Sequence, residues 1–222
     1  MMSTMASSLA PLPSGRTSMV DLSDDHIDPL RLTVEQVGGM VSAGILPEDS
    51  SLELIDGVLC RRIVGSPEDP FVMNPPHARV LSKLNRLVPQ FDAHGCIMRN
   101  QLPIVLGDAT MLFPDFTIVE GEDDDYAERH PTGRDALAAI EISDGSLSRD
   151  RRTKLARYAA AGISCYVIVN LPKRVVELYE VPVVSEGRYE TSATLRSGDA
   201  LRLPTATDAV VECSISDLFP TK

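Results

Sequence analysis

The sequence predicts an α/β fold in which a central mixed β-sheet, including a hairpin in its antiparallel part, is flanked by helices, and two observations support this prediction. Residues 52–63 alternate between apolar and polar side chains on either side of Asp56 and Gly57, which is typical of a β-hairpin. Further along, an apolar strand candidate at 136–142, a helix candidate and a nearly continuous apolar run at 163–169 follow one another. Such a strand, helix, strand unit predicts a parallel pair, so the sheet would combine antiparallel and parallel strands.

The start of the chain divides into a tail and the beginning of the folded domain. Residues 1–29 are rich in Ser, Pro, Met and Asp and hold few apolar side chains, which predicts a disordered tail followed by one domain at 30–222. Thr33 and Gln36 have the spacing of a capping box, so a first helix begins there, and Gly44 ends it. The hairpin follows and carries Glu53 on its first strand.

The middle of the chain is predicted to form one helix and three strands. Asn74, followed by two prolines and His77, is typical of a capped helix start, and apolar residues at helical spacing continue to Val88. This second helix is expected to stop between Phe91 and Gly95. The strand candidates lie at 96–99, 102–106 and 115–119, and an acidic loop follows at 120–125.

The last third of the chain returns to strands after one helix. Ser148 is the predicted N-cap of the helix that Gly162 closes, between the strands of the parallel unit. Alternation at 174–179 and the segments near Tyr189 and Leu201 predict antiparallel edge strands, and 215–219 predicts a short final helix.

The charge of the chain restricts the ligands it can bind. The 222 residues carry a formal net charge of −11, with a pI near 4.8. Since phosphate binding rests mainly on Lys and Arg, this argues against a strongly basic, non-specific nucleic-acid binder. Any nucleic-acid site must be a local positive patch or must work through a bound cation.

Cysteine spacing and hydropathy indicate the compartment. Cys60, Cys96, Cys165 and Cys213 form no CxxC pair, so we expect buried thiols in a reducing compartment rather than a zinc or redox site. No apolar run reaches the roughly 18 residues of a membrane span, and no signal-peptide pattern opens the sequence. The prediction is a soluble, cytoplasmic protein with no membrane partner.

Two carboxylates and a lysine are the candidates for catalysis. Glu141 lies within the apolar run 136–142, where a carboxylate is costly to bury unless a cation or a hydrogen-bond donor compensates it. If the strand that begins at Asp115 is a neighbour, both carboxylates could bind one Mg²⁺ or Mn²⁺, with the carbonyl of Ile142 as a third ligand. Lys154, on the following helix, could orient a water molecule or stabilise charge on a phosphate.

A structural interpretation of the same residues stays open. In it, Asp115 caps a strand end, Glu141 pairs with an arginine at a sheet edge, and Lys154 is solvated. The dense basic cluster around Lys154 has the same two interpretations, since it could hold nucleic-acid phosphates or form a solvated helix face. Asp150, within it, is expected to serve the helix start or to pair with an arginine. The cluster consists of Arg149, Arg151, Arg152 and Arg157 beside Lys154.

Together, these motifs occur in one order and at a spacing that resembles the Uma-type putative restriction endonuclease family, a bacterial branch of the PD-(D/E)XK nuclease superfamily. The resemblance covers about 32–179. The residues that carry it are 52–57, 76–77, 114–115, 140–143, 149–150 with Lys154, and 158–169.

The resemblance implies a restriction-endonuclease-like fold and Mg²⁺-dependent hydrolysis of DNA phosphodiester bonds. It makes Asp115 and Glu141 metal ligands and Lys154 the catalytic lysine. In the wider superfamily this lysine lies two residues after the acid, but position 143 is serine here, so the lysine would come from the following helix instead. It also places Glu53 and His77 at the site. Glu53 would bind an outer-shell water or a second metal, and His77 would donate a hydrogen bond to phosphate or shuttle a proton. For His77 the alternative is a helix-start residue bonded to backbone.

Two other functions remain open at this point. The chain could be a catalytically degenerate nuclease fold that serves as an interaction module, or a metal-dependent hydrolase of RNA or small phosphoesters. Nucleases of this kind often pair, and an exposed edge strand at 174–179 would give this chain a means of forming a homodimer.

Overall fold

The structure is a computed structural model that describes residues 29–46, 52–61 and 73–219. The chain divides into two compact units, Met1–Leu30 and Arg31–Lys222, and the elements below belong to the second. The predicted tail falls on 1–29, of which 1–28 lie outside the described residues.

The described elements alternate between short helices and strands. The helices are α1 (Val34–Ser42), α2 (Pro75–Leu84), α3 (Val88–Phe91), α4 (Leu147–Arg149), α5 (Leu155–Ala160) and α6 (Ile215–Leu218), with a π-helical turn at Asp150–Lys154 and 3₁₀ turns at Asn85–Leu87, Asp92–His94, Asp123–Tyr126 and Val184–Glu186. The strands are β1 (Leu52–Ile55), β2 (Val58–Arg61), β3 (Cys96–Asn100), β4 (Ile104–Val105), β5 (Met111–Leu112), β6 (Phe116–Glu120), β7 (Ala136–Ser143), β8 (Cys165–Asn170), β9 (Val175–Val183), β10 (Arg188–Leu195), β11 (Ala200–Pro204) and β12 (Val210–Ser214).

Side chains at the helix starts explain where the first two helices begin. Thr33 and Gln36 form the predicted capping box of α1, since each side chain accepts a hydrogen bond from the backbone N–H of the other. Asn74 caps α2 by accepting from the N–H of His77 at 2.9 Å. The predicted N-cap at Ser148 is wrong, because Ser148 lies inside α4 and Ser146 precedes it.

The central sheet has six strands in the order β10-β9-β8-β7-β6-β3. β7 and β8 run parallel, joined through α4 and α5, while each other neighbouring pair is antiparallel. The predicted mixed sheet and its parallel strand, helix, strand unit are therefore confirmed.

The Glu53 hairpin lies in a second, four-stranded sheet of order β2-β1-β5-β4, so the prediction that it joins the central sheet is wrong. The cause is β5. Its residue Met111 lies opposite Leu54, so β5 pairs with the edge of β1 that β2 does not cover. A two-residue strand is too short to show alternation in the sequence. The turn itself is as predicted, since Asp56 and Gly57 both have positive φ, at 49° and 80°.

The prediction of an edge strand at 174–179 is also wrong. β9 lies between β8 and β10, and β10 pairs with it from Arg188 to Leu195. The edges of the sheet are β10 and β3, so the prediction of an edge strand near Tyr189 is confirmed, while the argument for pairing two copies through β9 is lost.

The hydrophobic core covers both faces of the central sheet. On one face, Ile140 and Ile142 of β7 pack with α2 and α6, and on the other Ala139 packs with Tyr158 of α5. Burying a side chain such as Ile140 contributes about 1.5–3 kcal/mol relative to leaving it exposed. Because side chains alternate between faces, Glu141 shares the α5 face with Ala139.

The cysteines agree with the prediction of buried thiols except at Cys60. Cys96, Cys165 and Cys213 are buried free thiols, and Cys60 is half-buried and free. Within the described residues, no helix is both long and apolar enough to cross a membrane.

Candidate active site

Asp115 and Glu141 meet on neighbouring strands of the central sheet. Phe116 of β6 lies opposite Ile140 of β7, and one further step of this antiparallel register places Asp115 opposite Glu141. Side chains directly opposite share a face of the sheet, with Cβ atoms about 4.5–5.5 Å apart. Both carboxylates are buried, at 3% and 5% exposure. The sequence interpretation in which Glu141 pairs with an arginine at a sheet edge is therefore wrong.

Three donors surround the Asp115 carboxylate. The backbone N–H of Ile142 donates to Oδ2 at 2.8 Å, while the Gln101 amide and Nε2 of His77 lie 3.2 and 3.1 Å from Oδ1. Burial raises the pKa of Asp115, but His77 and the other two donors outweigh it and hold the pKa below its ordinary value. Asp115 is thus an ionised, fixed carboxylate.

His77 reaches this carboxylate from the start of α2. Asn74 and two prolines fix the first turn of the helix, so the imidazole projects from a defined position and is buried. Its backbone N–H bonds to Asn74, and its ring faces Asp115. His77 therefore lies at a helix start, as the alternative interpretation has it, but its ring contacts the Asp115 carboxylate rather than backbone.

Gln101 is a site residue that the sequence did not reveal. It follows β3 with a φ of 50°, a left-handed conformation that is uncommon for residues other than glycine. Its N–H donates to the Asp115 carbonyl at 3.0 Å, and its side chain donates to the Asp115 carboxylate. Nothing in a glutamine after a strand signals this backbone conformation. The tertiary hydrogen bonds hold the conformation, which costs about 1–3 kcal/mol by itself.

Lys154 lies between two buried carboxylates. Its Nζ is 2.8 Å from Oε1 of Glu141 and 3.0 Å from Oε1 of Glu53, and the lysine is 2% exposed. The interpretation of Lys154 as solvated is therefore wrong. Burial lowers the pKa of Lys154, but the two glutamates more than compensate and raise it, so the ammonium is charged.

Glu141 and Glu53 differ in how well they are compensated. The Tyr158 hydroxyl also donates to Oε1 of Glu141, at 2.7 Å. Burial nevertheless raises the pKa of Glu141 to about 8, against the effect of Lys154. Burial also raises the pKa of Glu53, but Lys154 and Arg149 reverse the shift and hold it below its ordinary value. Oε2 of Glu53 is buried without a hydrogen-bond partner in the structure.

The π-helical turn at Asp150–Lys154 delivers Lys154 to the site. A π turn adds a residue to one helical turn and is frequent at functional sites. Asp150 is 1% exposed and accepts from the hydroxyls of Ser143 and Ser146, both at 2.6 Å. The expectation that Asp150 pairs with an arginine or caps the helix is wrong, because its carboxylate bonds to serines of the preceding strand and turn.

The donor set fits a hard divalent cation. In the described part of the chain, no group of three or more His, Cys, Asp or Glu side chains is arranged to hold a metal ion, and the two carboxylates that the register brings together are Asp115 and Glu141. Within a strand the N–H and C=O of one residue point the same way, so the Ile142 carbonyl points to the side where its N–H meets Asp115. Two carboxylates, one carbonyl and waters are a set that Mg²⁺ accepts. The buried, unpartnered Glu53 oxygen shows that this pocket has acceptor capacity in excess of its donors.

The four predicted phosphate-binding arginines lie in different environments. Arg149 and Arg152 line a cavity of about 610 Å³ with Ser146 and Ser148, and Nε of Arg149 is buried without a partner in the structure. Arg151 and Arg157 instead bind carboxylates, with Arg151 Nε 2.7 Å from Glu177 and Arg157 Nε 2.8 Å from Asp56. Asp56 was assigned only to the hairpin turn, and its pairing with Arg157 links that turn to α5.

The acidic loop is remote from the carboxylates. Asp115 precedes β6, whereas the loop begins at Glu120, where β6 ends. Five residues of strand separate the two by about 17 Å at 3.3–3.4 Å per residue.

Comparisons with known proteins agree on one family and fold. The family model described as Uma2, putative restriction endonuclease, matches residues 43–216. The crystal structure of a putative nuclease belonging to DUF820 from Anabaena variabilis has a TM-score of 0.60 and 17% sequence identity, covering 86% of this chain and 98% of that one. None of the curated proteins matches the sequence.

Proposed function

The chain belongs to the Uma2 family of putative restriction endonucleases, and from this premise we propose that it is a Mg²⁺-dependent endonuclease that hydrolyses DNA phosphodiester bonds. The observation that carries the proposal is the placement of Asp115 opposite Glu141, with the Ile142 backbone between them and the Lys154 amine 2.8 Å from Glu141. Mn²⁺, with similar oxygen preference, is expected to substitute.

Asp115, Glu141 and the Ile142 carbonyl would hold the cation. When bound, Mg²⁺ supplies a Lewis acid for a phosphate oxygen and makes a water molecule more acidic. The backbone N–H of Ile142 and the side chains of Gln101 and His77 fix the Asp115 carboxylate. This carboxylate therefore needs no reorganisation when the cation binds. Preorganised groups of this kind contribute most to stabilising charge in a transition state.

Lys154 would act on the phosphate or on the attacking water. An ammonium has three donors, and Glu53 and Glu141 take two of them, which leaves one for the substrate. Glu53 is then a positioning residue, because it holds the amine at the end of the π turn. His77 can hold Asp115 in place or pass a proton to solvent.

The distribution of charge supports a polyanionic substrate despite the net charge of −11. The acidic loop lies about 17 Å away along β6, beyond the screening length of about 8 Å at physiological salt. On the near side, Arg149 and Arg152 line a cavity next to the π turn. The negative charge is thus concentrated away from the proposed path of the substrate.

Metal binding and cleavage test this proposal together. Calorimetry should show Mg²⁺ or Mn²⁺ binding to the wild type that is lost in Asp115→Asn and Glu141→Gln. The matched control is Glu212→Gln, an exposed carboxylate on β12. Plasmid, single-stranded DNA, RNA and a chromogenic phosphodiester should then be assayed with Mn²⁺.

Cleavage of DNA by the wild type and loss of at least about 100-fold in Asp115→Asn are expected, since one preorganised group is worth about that factor. Cleavage of RNA alone, or of the small diester alone, would mean that the substrate is that compound class and not DNA. Absence of metal binding that depends on Asp115 and Glu141 would contradict the enzyme proposal and favour an interaction module.

A further inference from the structure

A second polar cavity opens between β9, β10 and the π turn, on the same side of the sheet as the site. We call it the β9–β10 pocket. Its volume is about 430 Å³. The residues that matter below are Arg151, Lys173, Glu177, Ser192, Thr194 and Arg196, which all line it.

The β9–β10 pocket is positively charged in an acidic protein. It holds three cations and one carboxylate, Glu177. Lys173 and Arg196 are exposed, and neither forms an ion pair with any residue that the structure describes. Ser192 and Thr194 add exposed hydroxyl donors. Such a combination is suited to an anion.

Glu177 serves to hold Arg151 rather than to oppose a ligand. Its two oxygens accept a fork of hydrogen bonds from Arg151 at 2.7 and 2.5 Å, and they also accept from Asn170 at 2.6 Å and from Tyr179 at 3.0 Å. With four donors the carboxylate is fully satisfied. The fork fixes the guanidinium and uses two of its five N–H donors, so Arg151 keeps three for other groups.

The register of the sheet connects the pocket to the candidate active site. Glu141 lies opposite Ile168, Ile168 opposite Glu177, and Glu177 opposite Thr194. Residues that lie opposite share a face, so this row runs across one face of the sheet from the carboxylates to the pocket. At about 4.8 Å per strand, Glu177 and Thr194 are about 10 and 14 Å from Glu141. Arg151 and Lys154 also belong to the same π turn.

We propose that the β9–β10 pocket binds a backbone phosphate of the DNA strand that is cut, a few nucleotides from the scissile bond. This rests on the proposed function, since the pocket lies about 10–14 Å from Glu141, a distance that a few nucleotides of one strand can span. Arg151, Lys173 and Arg196 contact the phosphate, and Ser192 and Thr194 donate to its oxygens. No base edge is read by these groups, so the pocket positions the strand without specifying sequence.

The test compares two double variants of the full chain that remove the same charge. Lys173→Gln with Arg196→Gln empties the pocket of its unpaired cations. Arg188→Gln with Arg202→Gln removes two exposed arginines elsewhere. Dissociation constants for a fluorescent dinucleotide and a fluorescent single-stranded 16-mer are measured in EDTA, so that no cleavage occurs, at several salt concentrations. Circular dichroism checks that both variants are folded.

The pocket variant should bind the 16-mer about tenfold more weakly than the control variant, and its slope of log affinity against log salt should fall by about 0.7, for the one phosphate contact that is lost. The dinucleotide, which has a single phosphate and cannot span both sites, should not distinguish the two variants. Equal affinities for the 16-mer, or the same loss for both lengths, would overturn the proposal.

Two further measurements separate a site for free phosphate from a site for a nucleic-acid strand, and the nuclease proposal from the pocket proposal. If inorganic phosphate binds in a way that depends on Lys173 and Arg196 while the 16-mer does not, the pocket is a free-phosphate site and the proposal is wrong. If the wild type cleaves nothing with Mn²⁺ but the length-dependent loss is seen, the nuclease proposal fails, and the pocket binds a backbone phosphate of a strand that is held rather than cut. Cleavage without that loss removes the subsite alone.

Discussion

The two ends of β6 carry the same chemical group in opposite environments. At its start, Asp115 is 3% exposed and bonded to donors on Ile142, Gln101 and His77, and the register places it opposite Glu141. At its end, Glu120 leads into the exposed acidic loop. There the local contacts come from Arg129, which pairs with Asp135 and lies over the Tyr126 ring. Burying a carboxylate away from water costs free energy and makes the group more reactive. A carboxylate that water solvates costs little free energy.

Removing the cation that compensates the buried carboxylates should have the largest effect on the free energy of unfolding. Lys154→Met removes the cation shared by Glu53 and Glu141, and leaving a buried charge uncompensated costs about 3–5 kcal/mol. Urea unfolding at pH 7 should show this loss in the free energy of unfolding. Lys83→Met, a half-buried lysine in the last turn of α2, is the control and should change it by less than about 1 kcal/mol.

The cause can be separated from lost packing. A triple variant that adds Glu53→Gln and Glu141→Gln to Lys154→Met removes the buried charges as well and should recover a large part of the stability. Unchanged instability in the triple variant would show that the lysine stem, not the charge, supports the site.

The exposed end should respond more weakly and with a defined pH dependence. Asp135 accepts hydrogen bonds from Arg129 and Thr132, and Arg129 is the leading cause that holds its pKa below the ordinary value of 3.8. A carboxylate with a lowered pKa stabilises the fold above that ordinary value and loses its contribution as the pH falls below it. Asp135→Asn should therefore lower Tm by about 2 °C at pH 7, and the difference from wild type should shrink below about pH 4. A difference that grows in acid would refute the role of this pair.

The acidic loop itself should give the smallest effect. Replacing Glu122, Asp123 and Asp124 by their amides removes three charges about 17 Å from Asp115, and at 0.15 M salt screening acts over about 8 Å. Thermal stability should be unchanged, and affinity for an oligonucleotide should rise less than about twofold at 0.15 M salt. At 0.01 M, where the screening length is about 30 Å, the rise should be clearly larger. A strong effect at high salt would mean that the loop reaches the substrate.

The same contrast explains how much the sequence could predict. Periodicity located β7 and β8 and their parallel pairing, and the carboxylate within an apolar run pointed to Glu141 as a residue that needs compensation. Lys154 was found because it follows on the next helix. These predictions rest on local pattern, which the residues themselves carry.

Short or polar segments carry no such pattern, and predictions failed there. The two-residue β5 draws the Glu53 hairpin into a second sheet, and the polar strand β10 turns β9 into an interior strand. Asp150, expected at a helix start, is buried against Ser143 and Ser146 because of a π turn that no residue type announces.

The sequence by itself determined which carboxylates and which lysine are candidates for a nuclease site and on which elements most of them lie. Only the tertiary structure decided that Asp115 lies opposite Glu141, that Glu53 reaches Lys154 from a separate sheet, and that Gln101 adopts a left-handed conformation to hold Asp115. The physical reason is that alternation fixes the face of a side chain within its own strand. Register and packing between strands depend instead on contacts between segments far apart in the chain.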